Sequence, residues 1–173
     1  MCYRTRFKKK VFIKTPPEQV FRAWATAEHI RQWFIAKADN IGPDGRPRQA
    51  AELVQPGDQY FWQWHQDLNA SGTILEVVEN QRLKFTFGDK TPDSEEQILV
   101  TVTLSASEDG GETLLELTQE NMADTPAAQV GWHLGCNLGW SFFITNLKGW
   151  LEHGIDLRET DPDRAYAARA ISH

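Results

Sequence analysis

Residues 131–151 read GWHLGCNLGWSFFITNLKGWL, the one long apolar segment with helical spacing in the chain. At about 100° per residue, the bulky apolar side chains fall on one broad arc, and most polar ones lie on the far side. This pattern predicts an amphipathic helix that packs against a sheet. Gly131, Gly135 and Gly139 lie along one flank of the helix. Because a glycine inside a helix costs about 1 kcal/mol relative to alanine, the three glycines indicate close packing or a cavity beside the helix.

A series of short strands separated by turn signals precedes this helix, and the pattern predicts an antiparallel sheet. The expected strands span residues 4–14, 51–55, 59–65, 73–78, 82–87, 98–106 and 113–119. Alternation along each strand then selects the side that faces the helix. The side chains on that side are Tyr60, Trp62, Trp64, Leu83, Phe85, Phe87, Ile98, Val100, Val102, Leu104, Leu115 and Leu117.

Helix signals stand at both ends of the chain. Thr15 is expected to cap a first short helix that begins at Pro16 or Pro17, and a second should run from Ala27 to Phe34. Residues 36–49 are polar and rich in turn-forming residues, so they predict a long loop, either a flap over an opening or a surface insertion. The final helix should begin at Asp124-Thr125-Pro126 and end at His153-Gly154.

Composition excludes several classes of protein. The chain has 173 residues and a formal net charge of −6, which argues against nucleic acid as a partner because phosphate binding needs a basic stripe. Cys2 and Cys136 imply neither a disulfide framework nor a cysteine metal site. The N-terminal residues lack the apolar core of a signal peptide, and polar residues interrupt the long helix. We therefore expect a cytoplasmic protein without a membrane span.

Signatures of catalysis are missing from the sequence. It contains no P-loop, no dinucleotide-binding glycine motif, no His-Glu-x-x-His and no Gly-x-Ser-x-Gly. The five histidines are scattered, and none has a second ligand at helical or hairpin spacing. His65, after an aromatic strand, and His133, on the long helix, remain weak polar candidates for a site. We expect no catalytic residue, no metal ion and no cofactor.

Four segments together resemble one known family, the homologues of the activator of heat-shock protein 90 ATPase. The segments are TPPEQVFRAWATAEHIRQWF (15–34), QPGDQYF (55–61), GTILEVVENQRLKF (72–85) and the closing helix with Gly139-Trp140, Leu147 and Leu151-Glu152. The similarity covers about residues 5–154. It implies the α+β helix-grip fold of START and Bet v 1-like (SRPBCC) proteins. In that fold a curved antiparallel sheet of six or seven strands wraps around a long C-terminal helix, and two short helices follow the first strand.

Residues 155–173 are rich in Asp and Arg and short of apolar side chains, which predicts a polar tail, and the resemblance implies that residues 1–154 form one START/Bet v 1-like domain. Its hollow between sheet and helix is either a ligand pocket or a filled core. Aromatic side chains and a few polar groups suit a pocket, and the glycine flank favours it. The expected ligand-binding residues are Trp62, Trp64, Phe85, Phe87, Val100, Gly135, Gly139, Trp140 and Phe143.

Three functions follow from this interpretation. The first is binding of a small hydrophobic or amphipathic ligand by a protein of the stress-response type. The second is a cyclase-, dehydratase- or hydrolase-like enzyme that uses the same cavity with His65 or His133 and a neighbouring carboxylate. The third is co-regulation of a chaperone ATPase, although nothing in the chain corresponds to the additional N-terminal chaperone-binding domain of the eukaryotic activator. The protein is expected to be a monomer or a homodimer.

Overall fold

The computed structural model describes residues 4–65, 68–88 and 96–165, and within them one curved sheet contains seven antiparallel strands. Their order across the sheet is β1-β7-β6-β5-β4-β3-β2. The strands are β1 (Phe7–Ile13), β2 (Lys37–Ile41), β3 (Gln59–Gln63), β4 (Asn69–Val78), β5 (Arg82–Thr86), β6 (Leu99–Ala106) and β7 (Thr113–Glu120). All neighbouring pairs from β2 to β7 follow one another along the chain, and β1 closes the sheet against β7.

Two short helices follow β1 and a long helical region follows β7, as the sequence predicts, although the second helix, expected to reach Phe34, ends at Ile30. The helices are α1 (Pro17–Ala25), α2 (Ala27–Ile30), α3 (Pro126–Ala128), α4 (Gly135–His153) and α5 (Pro162–Ala165), with a π-helical segment, Gln129–Leu134, between α3 and α4. The Thr125 hydroxyl accepts the N–H of Ala128 at 3.2 Å and begins this long C-terminal helix. Gly154, at φ 69°, ends it. The α+β helix-grip architecture is confirmed.

The core lies between the sheet and the long helix. The inward side chains of β3, β5, β6 and β7 are buried, and they form one cluster with Trp140, Ile144 and Leu147 of α4. Burying each such side chain contributes about 1.5–3 kcal/mol relative to leaving it exposed. Alternation along the strands therefore predicts the inner face correctly.

The sheet bends where β4 passes from β3 to β5. The register of β4 against β5 shifts between Ile74 and Glu76, and a bulge of this kind bends the strand. Next to it, a Cβ on Gly72 would lie 2.6 Å from the carbonyl oxygen of Thr86 and 2.7 Å from the ring of Tyr60. Only glycine fits there. The Tyr60 hydroxyl donates to the same carbonyl at 2.6 Å.

Two secondary-structure predictions for residues 36–55 are wrong. Residues 37–41, expected within a loop at 36–49, form the edge strand β2, with Ala38 and Asn40 buried between polar neighbours. Small and polar inward residues give no hydrophobic alternation, so the sequence pattern missed this strand. Residues 51–55, expected as a strand, make only a single bridge from Leu53 to Thr26.

The predicted N-cap of α1 is also wrong. Pro16 occupies that position, and no side chain caps the helix. Thr15 is buried instead, and its carbonyl oxygen accepts the Thr113 hydroxyl at 2.7 Å. This hydrogen bond joins the residue before α1 to the first residue of β7. It gives the buried Thr113 hydroxyl a partner, as buried polar groups in packed interiors require.

The segment after α4 folds back onto the domain. The Asn146 carboxamide, fully buried on α4, donates to the carbonyl oxygen of Trp33 at 2.7 Å and to Asp156 at 3.0 Å, and accepts the N–H of Leu157 at 2.7 Å. Arg158 donates to the carbonyl oxygens of Arg31 and Ile35 at 2.8 and 3.0 Å. In the described part of the chain, none of the helices is both long and apolar enough to cross a membrane.

Candidate ligand-binding site

Two adjoining pockets lie beside the first half of α4. The larger has a volume of about 700 Å³ and the smaller about 620 Å³. Both are lined by the same five apolar side chains, Trp64, Leu68, Phe87, Trp132 and Phe143. Trp64 and Phe87 directly follow β3 and β5, and the Trp64 N–H donates to the Leu68 carbonyl oxygen at 2.8 Å. The pockets therefore occupy the space between these strand ends and the helix.

Phe34 is the centre of the aromatic wall. Its ring stacks on Trp33 and Trp140 with centroids 5.2 and 5.1 Å apart, and it meets Phe143 edge-on at 4.8 Å. Trp62 and Trp64 also contact it edge-on. Such aromatic pairs contribute about 0.5–1.5 kcal/mol beyond their buried area. The wall is consequently a continuous surface of aromatic rings in contact with one another.

Seven of the nine expected ligand-binding residues line these pockets. Trp62, Trp64, Phe87 and Phe143 line the larger pocket, and Gly135, Gly139 and Trp140 line the smaller together with Trp64, Phe87 and Phe143. Phe85 and Val100 are fully buried in the core beneath them and are not among the lining residues of either pocket. The sequence pattern cannot separate these two groups, since both alternate inward.

The glycine flank of the long helix is open. A Cβ on Gly131 or Gly139 would meet no atom within 4 Å, and one on Gly135 would meet only the Val130 carbonyl oxygen, at 3.9 Å. Close packing within the protein therefore does not explain these three glycines. Their absent side chains instead leave space that forms part of the smaller pocket.

Polar groups lie along one side of the larger pocket. They are Lys37, Asp39, Gln63, Asn69 and Ser71. They belong to the strands β2, β3 and β4, where Lys37 pairs with Gln63 and Asn69 lies opposite Gln63. Their neighbours Ala38, Trp62 and Ala70 form the inward set of these strands, so the larger pocket joins apolar lining residues near α4 to a polar rim on the outer face of the sheet.

Beneath the smaller pocket, a buried amide joins two elements. Gln119 of β7 is fully buried, and its side-chain oxygen accepts the indole N–H of Trp140 at 2.8 Å. Cys136, which lines the pocket, is close to the same side chain. Burial raises the pKa of the Cys136 thiol, and a hydrogen bond with Gln119 opposes that rise only in part. The thiol is therefore neutral and poorly nucleophilic at pH 7.

A family model described as activator of Hsp90 ATPase homolog 1-like protein matches residues 14–152. The chain belongs to this family. A search of curated proteins finds no match.

Solved structures show the same fold. A protein from Staphylococcus saprophyticus is 24% identical, with 88% of this chain and 96% of that chain covered and a TM-score of 0.65. The Aha1 dimer from Colwellia psychrerythraea is 18% identical, with 87% and 98% covered and a TM-score of 0.68. DynU16, from the dynemicin biosynthetic locus, is 17% identical over 91% of this chain, which spans 51% of DynU16, with a TM-score of 0.69. These identities establish the fold alone.

Neither histidine candidate is among the residues that line the two pockets of this family member. Burial lowers the pKa of His65, and the charge of Arg158 lowers it further while that of Asp156 opposes the shift. His133 is buried against Phe7 with ring centroids 5.5 Å apart, and its Nδ1 is 3.1 Å from the Gln129 amide nitrogen. Within the described residues, no group of three or more possible metal ligands comes together.

Several lining residues were missing from the sequence prediction. Phe34 and Leu68 are apolar but lie outside the recognised strands, and Lys37 and Asp39 lie on the strand that was read as a loop. The alternation of charged and small residues at 37–40 was the available signal for the rim. Phe34 was recognisable only as the inward face of a short helix, and the fold alone brings it to α4.

Proposed function

We propose that this protein binds a small hydrophobic or amphipathic molecule in the two adjoining pockets. The supporting observation is an aromatic cavity, about 700 and 620 Å³ in its two parts, beside a helix flank that carries no side chains. These volumes fall in the range of small-molecule sites, which are mostly apolar with a few placed polar groups. A closed core would instead fill the glycine flank with packed side chains.

The rim suggests how such a ligand is oriented. The apolar part would lie among Trp132, Phe87 and Phe143, and the polar part would reach Lys37 and Asn69 at the rim. Lys37 is exposed and has no ion-pair partner among the described residues, so it is available to an anionic or hydroxyl-bearing end. An amphipathic ligand fits this arrangement better than a purely aliphatic one.

Binding is favoured over catalysis by the chemistry of the walls. A cyclase-, dehydratase- or hydrolase-like enzyme needs a positioned acid and base within hydrogen-bond reach of the substrate. Lys37 and Asp39 are the charged groups among the lining residues, and both are exposed at the rim. Neither His65 nor His133 lines either pocket. The enzyme alternative therefore has less support than ligand binding.

The glycine flank allows a direct test of the pocket. Gly139→Leu should fill the smaller pocket and weaken binding of the amphipathic probe 1-anilinonaphthalene-8-sulfonate at least tenfold, measured by fluorescence titration. Gly139→Ala is the matched control, because its methyl group has room and improves helix propensity. This control should retain probe binding and raise the free energy of unfolding by up to about 1 kcal/mol. Equal probe affinity in both variants and the wild type would contradict a ligand site here.

The family description supports a second function, co-regulation of a chaperone ATPase. The cytoplasmic location expected from the sequence is compatible with this role. The full chain, added to a purified Hsp90-type chaperone, should then stimulate ATP hydrolysis in proportion to its concentration. The Gly139→Leu variant separates the two functions, since it blocks the pocket without altering the outer surface of the sheet. Absence of stimulation at saturating protein would exclude this role and leave ligand binding unaffected.

A further inference from the structure

Asn40 carries a buried polar atom without a partner. The residue is on the edge strand β2, its side chain is only 5% exposed, and its Oδ1 has no hydrogen-bond partner among the described residues. Such an oxygen loses its hydrogen bonds with water on folding and gains none from the protein, so it destabilises the fold. An apolar residue would avoid this loss, and the asparagine therefore requires another explanation.

A third pocket, of about 460 Å³, opens at Asn40. It lies between β2, the end of α2 and residues 47–50, with Phe61 of β3 at one side. Two backbone hydrogen bonds of 2.8 Å hold residues 47–50 to the other walls. The N–H of Arg48 donates to the carbonyl oxygen of Asn40, and the N–H of Glu28 donates to the carbonyl oxygen of Ala50. Contacts within the fold thus join the three walls of this pocket.

Arg31 supplies a positive charge to the third pocket. Its Nε donates to the carbonyl oxygen of Ala27 at 3.0 Å, and within the described residues its Nη atoms have neither a hydrogen bond nor an ion pair. Arg48, the other arginine in the lining, is bound to Asp58 by two hydrogen bonds of 2.9 and 2.8 Å. A guanidinium with free Nη atoms binds a carboxylate through two parallel N–H groups. Arg31 is therefore the cation that a ligand can reach.

The free groups of this pocket define the chemistry of a ligand. The Oδ1 of Asn40 only accepts hydrogen bonds, so it needs an N–H or O–H donor, and Arg31 needs an anion. Asp39, also in the lining, forms no ion pair with any residue that the structure describes, and its negative charge disfavours a ligand that is only anionic. Small apolar residues such as Ala27 and Ala38 complete the lining. A carboxylate and an N–H on one small molecule with an apolar part satisfy all of these groups.

We propose that the third pocket binds a small molecule of the amino-acid type, with a carboxylate and an N–H on the same carbon atom. Arg31 binds the carboxylate, and the Oδ1 of Asn40 accepts the N–H. The nitrogen is either the ammonium of a free amino acid or the amide of an N-acyl amino acid. This site is additional to the two pockets beside α4, although Asp39 and Phe61 line both it and the larger of those pockets.

Nuclear magnetic resonance titration of the full ¹⁵N-labelled chain with L-leucine tests this site. The backbone amides of Glu28 and Arg48, which donate over the pocket, should shift saturably, with a dissociation constant on the order of 1 mM or below. 4-Methylpentanoate lacks the N–H and 3-methylbutylamine lacks the carboxylate, so each should bind at least about tenfold more weakly. N-acetyl-L-leucine distinguishes the two sources. Weaker binding than L-leucine identifies free amino acids, and tighter binding identifies N-acyl amino acids.

Two variants connect the binding to the proposed groups. Arg31→Gln and Asn40→Leu should each weaken binding of the better of the two leucine probes at least about tenfold. Asn40→Leu also removes the unpaired buried oxygen, so it should raise the midpoint of thermal unfolding by about 2–4 °C. Arg22→Gln is the matched control, because Arg22 is an exposed arginine on α1 outside the lining. It should bind as the wild type does.

The absence of a saturable shift with every probe would overturn the proposal and leave water as the partner of Asn40. Equal affinity of the wild type and either Arg31→Gln or Asn40→Leu would also overturn it. Both variants should still bind 1-anilinonaphthalene-8-sulfonate as the wild type does, since neither residue lines the pockets beside α4. Failure of the third pocket and failure of those two pockets therefore give different results.

Discussion

Replacing Arg48 by alanine is expected to lower the free energy of unfolding by about 3–5 kcal/mol, because the Asp58 carboxylate is left buried without its cation. The two side chains form a bidentate pair at 2.8 and 2.9 Å, and Asp58 is fully buried. Asp58 also accepts the N–H of Gln55, and its backbone carbonyl accepts the N–H of Ile74. The Arg48 N–H donates to the Asn40 carbonyl oxygen. The pair thus fixes β2 and the start of β3 to β4.

Urea unfolding monitored by circular dichroism measures this loss. Arg46→Ala is the matched control, since Arg46 pairs with Glu52 at 3.0 Å where both side chains are substantially exposed. Exposed pairs contribute about 0–1 kcal/mol, so the control should remain close to wild type. Adding Asp58→Asn to Arg48→Ala removes the unpaired charge and should recover part of the stability. If Arg48→Ala and Arg46→Ala are equally mild, the buried pair does not hold the sheet together.

Sequence patterns predicted the elements whose periodicity is long and apolar. The final helix was recognisable from its length and from Pro126 and Gly154 at its ends, and hairpins such as β6–β7 from alternation around turn residues. The strand β2 was missed because Ala38 and Asn40, its inward residues, are small or polar. Its position depends on the distant pair Arg48 and Asp58, which no local pattern encodes.

The candidate site was only partly predictable, because alternation gives the face on which a residue lies but not its depth in the protein. Alternation places Trp62 and Phe85 on one face of the sheet, but only the three-dimensional structure shows that Trp62 lines a pocket while Phe85 lies beneath it. The glycines on the long helix were the clearest local signal, and the open space beside them agrees with the cavity interpretation. The 72% exposure of Leu138 on the same helix was not predictable, since an apolar residue in a helix gives no indication of whether the protein's own core covers it.

Contacts that shape the aromatic wall come from Asn146 of α4 and from the segment after α4, both far from Phe34 in sequence. Asn146 and Arg158 bind the backbone carbonyl oxygens of Trp33 and Ile35, on either side of Phe34. Arg158 also forms a bidentate pair with Asp156. Burial tends to raise the pKa of Asp156, but hydrogen bonds from Arg158 and Asn146 hold it below its usual range. The polar segment thus keeps Phe34 in place against α4.

Asn146→Ala is therefore expected to lower the free energy of unfolding by about 2–5 kcal/mol, because it leaves the Trp33 carbonyl oxygen and the Leu157 N–H without their partner and each unpaired buried group costs about 1–3 kcal/mol. Urea unfolding measures the loss. The loosened backbone around Phe34 should also reduce the near-ultraviolet circular dichroism of the aromatic cluster and weaken probe binding.

Asn137→Ala is the matched control, since Asn137 is on the same helix and only half-buried, and it should change unfolding by less than about 0.5 kcal/mol. The comparison separates two roles of the segment after α4. If Asn146→Ala destabilises the fold but leaves probe affinity and the aromatic signal unchanged, the segment is a structural strap that does not shape the pocket. If both change together, the wall of the ligand site depends on a buried amide that lies outside it.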